Sequence, residues 1–308
     1  MPHWYLKAAI QGVLSRLPEP QRYNRLFQRH VTRSLQLADD QFLGKWRQCE
    51  RHIATFQEAG GTTENCVVAE LGTGWFPTTT VGLALCGARE VISVDPQPLV
   101  DREQLIAVLE LYQRHLESKS VALPCGGTDQ ALDRIAALLA RPGSVGDMMA
   151  RLGVRLLVTD ARSLDLPDRS IDFFVSNNTL EHIPGDVLLD ILREFHRLAR
   201  DDAVMSHLIN MADHYRSVDT SISVYNFLRF SERRWKKFNN ALHYQNRLRV
   251  SDFRRIHAEA GWELVGEDSH GGPVEVLRSV SLAPEFRHYK EEDLLVYRSW
   301  MISRPSRS

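Results

Sequence analysis

At 308 residues the chain is long enough for one large α/β domain with additions, or for two modest domains. Its 43% hydrophobic and 25% charged residues place it among ordinary globular proteins. A formal net charge of −1 leaves no global field that would recruit nucleic acid or an anionic membrane.

The first sixty residues read as helical. Trp4, Tyr5, Leu6, Ala9, Ile10, Val13, Leu14 and Leu17 form an apolar stripe with a cationic flank. The stripe is expected to pack on the protein's own body. Peripheral contact of residues 4–17 with a membrane surface is the alternative. Lys7, Gln11 and Arg16 interrupt the run, so neither a membrane span nor a signal segment is expected. Pro18 and Pro20 break the helical pattern and Gly60-Gly61 closes it. Cys49, Cys66, Cys86 and Cys125 lie far apart, with no CxxC and no zinc-ligand spacing. They read as free thiols in a reducing, cytoplasmic setting, and no metal is expected.

From about residue 65 strands alternate with helices. Cys66–Leu71, Val91–Val94, Arg155–Thr159, Ile171–Ser176 and Ala203–Asn210 are apolar runs of strand length. Thr78–Cys86, Asp101–Glu117 and Pro184–Arg200 carry helical periodicity. Residues about 118–153 are a helical insertion, with Leu132, Ile135, Ala136 and Leu139 on one face. Beyond a long segment at about 211–249, Ser251 is the expected N-cap and Gly261 the stop of another helix. Trp262–Val265 begins a sixth strand, "DLLVYRSWMIS" a last one, and residues 304–308 form a tail expected to be disordered. The pattern predicts a Rossmann-like, doubly wound, mostly parallel α/β sheet with an N-terminal helical extension and helical insertions. The expected domains are an extension over 1–60 and a catalytic domain over 61–303.

The stretch "VAELGTGWFP" carries the first chemistry. Gly72 and Gly74 follow an apolar strand and precede a helix, the setting in which a G-x-G turn has meaning. A dinucleotide loop has a third glycine, where this chain has Phe76, and the pyrophosphate sits on the helix N-terminus. Glu70 would repel a phosphate but favour a cationic ligand. The loop therefore prefers a positively charged nucleoside without phosphates. Asp95 ends the second strand at the spacing from which an acid reaches ribose hydroxyls.

These residues resemble the class I S-adenosylmethionine-dependent methyltransferases over roughly 65–210. The wording "ELGTGWFP" looks nearer to the bacterial small-molecule and polysaccharide type than to the nucleic-acid one. The resemblance implies S-adenosyl-L-methionine as cofactor, with Glu70, Gly72, Thr73 and Gly74 at the first strand and Asp95 at the ribose. It implies Asp160 and Ala161 near the adenine, and Asn177, with Asn178 beside it, along the methionine part. Each has a plainer reading as well: turn glycines, a cap at Asp95 or Asp160, and backbone-satisfying amides at Asn177 and Asn178.

Methyl transfer to a hydroxyl needs a base within hydrogen-bond reach of the acceptor. His214 is the first candidate, followed by His182 and Asp213, and His207 reads as a core histidine. Residues 211–249 are read as an acceptor lid, with Tyr215, Tyr225, Phe227, Trp235 and Tyr244 as an aromatic floor. Arg229, Arg233, Arg234, Lys236 and Lys237 form its cationic patch. The other reading of this segment is a surface helix with Trp235, Phe238 and Leu242 packed inward. The expected partner is a small-molecule acceptor, a sugar or metabolite hydroxyl. An RNA methyltransferase using the basic aromatic segment 225–249 and a non-catalytic cofactor-binding interaction protein are the alternatives, and the charge balance disfavours nucleic acid.

Overall fold

A computed structural model describes residues 3–14, 37–240 and 242–306. Seven strands form one sheet: β1 (Val67–Leu71), β2 (Glu90–Asp95), β3 (Val154–Val158), β4 (Ile171–Asn177), β5 (Ala199–Asn210), β6 (Trp262–Gly271) and β7 (Val296–Pro305). Their spatial order is β3-β2-β1-β4-β5-β7-β6. The pairings among β1 to β5 are parallel, and β7 runs antiparallel to both β5 and β6. The order reverses between β1 and β4. In such a sheet the crevice for a ligand opens there, at the carboxyl ends of the strands.

Helices cover both faces because β1 is buried along its whole length and cannot face water on either side. On one face lie α2 (Asp39–Glu58), α3 (Thr78–Leu85) and α4 (Arg102–Glu117), with Phe42, Trp46, Ile53, Leu109 and Tyr112 in a common core. On the other lie α7 (Gly185–Leu198) and α9 (Val250–Glu259), contributing Leu188, Leu192, Phe195 and Phe253. The insertion folds as α5 (Thr128–Ala140) and α6 (Val145–Arg151) and adds Ala131, Ile135, Leu138, Met148 and Met149 to the first core. Its buried face is thus one position off the expected one: Ala136 is exposed, and Leu132 and Leu139 are half-buried. An Arg134 guanidinium donating to the Ala84 carbonyl at 2.9 Å anchors α5 on that side, which orients the stripe.

Several boundaries moved for local reasons. Asp101 caps α4 by accepting from the Gln104 N–H at 2.9 Å, while Gln104 Oε1 accepts from the Asp101 N–H at 3.0 Å. Helix α9 starts one residue before Ser251. Arg249 precedes it, and Asp252 accepts the Arg249 N–H at 2.9 Å in place of a serine cap. Gly261 does follow the helix, at φ +87°. The tail begins later than expected: Arg304 and Pro305 belong to β7, and the Ser306 N–H donates to the Gly261 carbonyl at 2.8 Å.

A third core lies beside the sheet, built from α1 (His3–Leu14), the segment after β5 and the stretch before β7. Trp4 and Ala8 are buried in it, and the Trp4 ring lies 5.3 Å from Tyr215 and 5.1 Å from Phe238. Helix α1 therefore packs on the protein's own body, but through a narrower face than the predicted stripe. Leu6 and Val13 are 60% and 63% exposed, Ala9 is exposed too, and Gln11 is buried instead. Leu17, Pro18 and Pro20 lie outside the described residues. Among those described, no helix is long and apolar enough to cross a membrane.

Candidate functional site

A cleft of about 1060 Å³ opens over the carboxyl ends of β1, β2 and β4. Its lining includes Glu70, Gly72, Thr73, Gly74, Asp95, Asp160, Ala161, Asn177 and His182. Residues chosen from four separate sequence stretches thus meet in one cavity.

The glycine loop is held from below. Gly72 sits at φ +81° and its N–H donates to the Val94 carbonyl at 2.8 Å. A Cβ there would stand 2.4 Å from Thr179 Oγ1, so close approach as well as backbone angle demands glycine. Gly74, at φ +66°, faces open space and donates its N–H to Asp95 Oδ2 at 3.3 Å. Asp95 Oδ1 accepts the Gln97 N–H at 3.0 Å. Each oxygen thus keeps acceptor capacity for a ligand, and burial raises the Asp95 pKa above the usual range. The Thr73 hydroxyl pairs with Ser93.

Glu70 is nearly buried and accepts from the Thr80 hydroxyl. Desolvation pushes its pKa up to about 7, against the opposing influence of Thr80 and Lys45. Lys45 lines the same cleft from α2, and burial lowers its pKa. The negative charge read at Glu70 is therefore partly balanced by a cation the sequence reading overlooked.

Asp160 is exposed at the rim. Arg162 donates to its carboxylate through Nε at 3.0 Å and Nη2 at 2.5 Å, and the Arg162 N–H adds a third bond at 3.0 Å. That local turn accounts for much of its hydrogen-bonding capacity. Asn177 is committed too. His52, buried on α2, faces Asn177 Oδ1 through Nε2 at 3.1 Å and Ser206 Oγ through Nδ1 at 2.9 Å. An amide oxygen only accepts, so Nε2 carries the proton and Nδ1 receives the Ser206 hydroxyl. Asn177 Nδ2 then donates to Thr79 Oγ1 at 3.1 Å. The chain fixes the amide in one orientation at the cleft wall. Burial lowers the His52 pKa to about 3, which keeps the ring neutral.

Of the three predicted catalytic residues, His182 and His214 stand together and Asp213 does not join them at the cleft. His182 is exposed at the cleft, its Nδ1 2.7 Å from the Tyr244 carbonyl. Nδ1 must donate there, which leaves Nε2 unprotonated and available. His214 lies behind it, with ring centroids 4.9 Å apart, and is not part of the cleft lining. Asp213 is corrected to a structural residue. It is 1% exposed and accepts the Tyr215 N–H at 2.9 Å and Asn226 Nδ2 at 2.8 Å. Those bonds hold the turn His214–Ser217, and Asp213 does not reach the cleft. His207 is a core histidine, as read, with Ser176 Oγ 2.7 Å from its Nδ1.

The segment 211–249 does not line the cleft. It is neither an aromatic floor nor a surface helix: it consists of short turns and one helical turn, α8 (Glu232–Trp235). Tyr215, Tyr225, Phe227 and Trp235 are buried in the third core. Arg229, Arg233, Arg234, Lys236 and Lys237 are exposed, whereas Arg247 turns inward to the Phe227 carbonyl at 3.1 Å. The wall opposite the glycine loop comes instead from α2, through Gln41, Lys45 and Gln48. With His52, these form a polar row at helical spacing beside the apolar row Phe42, Trp46, Cys49, Ile53 and Phe56. That row was the available signal for a helix with two working faces.

Residues 127–206 match the family model described as a methyltransferase domain. The match spans β3 to β5 and starts past the glycine loop. No curated protein matches the chain. Among solved structures, a candidate sarcosine dimethylglycine methyltransferase from Galdieria sulphuraria is 16% identical, covering 85% of this chain and 86% of that one, with a TM-score of 0.47. A geranyl diphosphate C-methyltransferase from Streptomyces coelicolor A3(2), in complex with Mg2+, geranyl diphosphate and S-adenosyl-L-homocysteine, is 10% identical, with coverages of 84% and 77% and a TM-score of 0.44. A SAM-dependent methyltransferase from Methanosarcina mazei is 13% identical, with coverages of 80% and 94% and a TM-score of 0.42. At these scores the likenesses add nothing to what the strand order itself establishes. The matched segment is similar to a methyltransferase domain, and it lies within the β3-β2-β1-β4-β5-β7-β6 sheet whose acid-ended strands sit beneath the cleft.

Proposed function

We propose that the enzyme methylates a hydroxyl of a small-molecule acceptor, a sugar or metabolite, that enters the cleft beside His182. The observation that carries this reading is the exposed His182 ring at the cleft, whose Nδ1 donates to the Tyr244 carbonyl and so leaves Nε2 as an acceptor. Such a group takes the acceptor's proton as the oxygen attacks. Desolvation of the part of the ring turned from solvent lowers the His182 pKa, which favours the neutral form.

The cleft residues fit the methyl donor. Gly74 leaves open space against its backbone, and Asp95 keeps lone pairs for the two ribose hydroxyls. Glu70, below the loop, offsets the donor's positive charge, and Ala161 with the Asp160 turn borders the adenine end. When bound, S-adenosylmethionine supplies an electrophilic methyl group whose transfer discharges its sulfonium. The chain's part is to align the acceptor and exclude water around it.

The exposed basic cluster does not favour the nucleic-acid reading. Base stacking needs aromatic faces beside the cations, and Tyr225, Phe227 and Trp235 are turned into the core.

Titration calorimetry with S-adenosylmethionine and NAD in parallel tests the donor assignment. We expect binding of the first only, and a loss of about tenfold in Asp95→Ala from one or two missing hydrogen bonds. Equal affinity of variant and wild type would remove Asp95 from the site.

A further inference from the structure

Beside the cleft, two turns leave neighbouring strands at the same end of the sheet: Leu180–His182 after β4 and His214–Ser217 after β5. They bring together Glu181, His182 and His214, with one ligand atom from each lying within 4.8 Å of the others. Glu181 is fully buried and no described side chain bonds its carboxyl oxygens; the Glu181 and Asn210 backbone amides approach them, but burial outweighs that and pushes the pKa up to about 8. His214 Nε2 is buried and also lacks a partner. His182 Nε2 is an acceptor, because Nδ1 donates to the Tyr244 carbonyl. The second ring nitrogen of His214 is turned to the Asn210 backbone, an interaction that favours a proton on that nitrogen.

Three ligand-type atoms therefore converge, and no described side chain donates a hydrogen bond into the space between them. A buried carboxyl group without a side-chain partner is costly to leave so. A shared proton does not resolve it, since Glu181 Oε1 and His214 Nε2 stand 3.9 Å apart, beyond hydrogen-bond range. Two ligands each about 2 Å from a tetrahedral ion stand roughly 3.3 Å apart, so this pair would close by about half an ångström on binding one. Metal-bound histidines typically donate their other N–H to a carbonyl, as His182 does here.

We propose that Glu181, His182 and His214 form a binding site for one divalent transition-metal ion at the rim of the cleft. Two imidazole nitrogens and one carboxylate oxygen suit Zn2+ and its neighbours in the first row rather than Ca2+ or Mg2+. Three protein ligands leave a coordination position, and His182 is the ligand that borders the cleft. An acceptor oxygen bound there would be acidified by the ion. The ion would then take the lone pair assigned above to proton removal. His243, whose buried Nε2 is also unpaired, stands further out, its ring 6.2 Å from that of His214. Lys7 approaches this group from α1.

The site is independent of the methyl acceptor, so its test reads metal rather than turnover. Tag-free, chelator-stripped protein is titrated with Zn2+ and the bound metal quantified after dialysis. One ion per chain is expected, with a rise in Tm. His182→Ala and His214→Ala are expected to bind about 100-fold or more weakly. His182 is exposed, so its variant keeps the wild-type circular dichroism and metal-free Tm. Co2+ loading of the wild type should give visible d–d absorption that His182→Ala lacks. Wild-type protein that holds no more Zn2+ than a His182→Ala/His214→Ala double variant would overturn the site, and would leave S-adenosylmethionine binding untouched.

Discussion

The loop after β1 and the segment after β5 both leave the carboxyl end of the sheet, yet they use their residues in opposite ways. The loop keeps polar atoms and bare backbone at the cleft: Gly74 faces open space, and Asp95 and Thr73 stand beside it. The segment 211–249 carries most of the conspicuous side chains, but it turns its rings inward to cover a third core with Trp4 and Phe286. Aromatic residues bring large apolar area, and burying it outweighs displaying it unless a ligand is at hand. A line of aromatic and basic residues is therefore a poor guide to a binding face. Small residues forced to positive φ under a cavity are a better one.

Three changes sharpen or break this contrast. The largest effect belongs to Trp235→Ala. The ring is 2% exposed and meets Phe227 at 5.8 Å and Phe230 at 6.3 Å. Its loss should cost about 3–5 kcal/mol in chemical denaturation. Unchanged stability with impaired acceptor use would return the segment to the role of a lid.

Next comes Gly72→Ala. The new methyl would overlap Thr179 at a backbone angle that L residues rarely adopt, for about 2–3 kcal/mol of destabilisation and a marked loss of donor affinity. An alanine variant that binds the donor as wild type does would show that the loop is only a turn.

The smallest effect is read against pH. The Glu70 pKa of about 7 lies above that of an unfolded glutamate, so its contribution to stability is complete below about pH 4.5 and is lost as pH rises through 7. Glu70→Gln cannot ionise, so relative to wild type it should gain on the order of 1–2 kcal/mol between pH 5 and pH 8 in ligand-free protein. Identical pH slopes would mean that the carboxylate is better solvated than its position implies. The buried histidines, such as His52 at about 3, act in the opposite sense. Their stabilisation is present above about pH 6.5 and is lost as pH falls toward 3, equally in both proteins.

The sequence by itself determined the strands of the parallel sheet, because a strand buried on both faces must be an apolar run, as in Val67–Leu71 and Ile171–Asn177. It also determined the glycine loop and the acid at Asp95, where backbone angle and position admit few residue types. Only the tertiary structure decided what surrounds them. Lys45 reaches the cleft, and His52 braces Asn177 at its wall, from the helix before β1, and Glu181 meets His214 across two adjacent strands. Nothing local marks such partners, because the sheet order that makes them neighbours is set by packing across the whole chain.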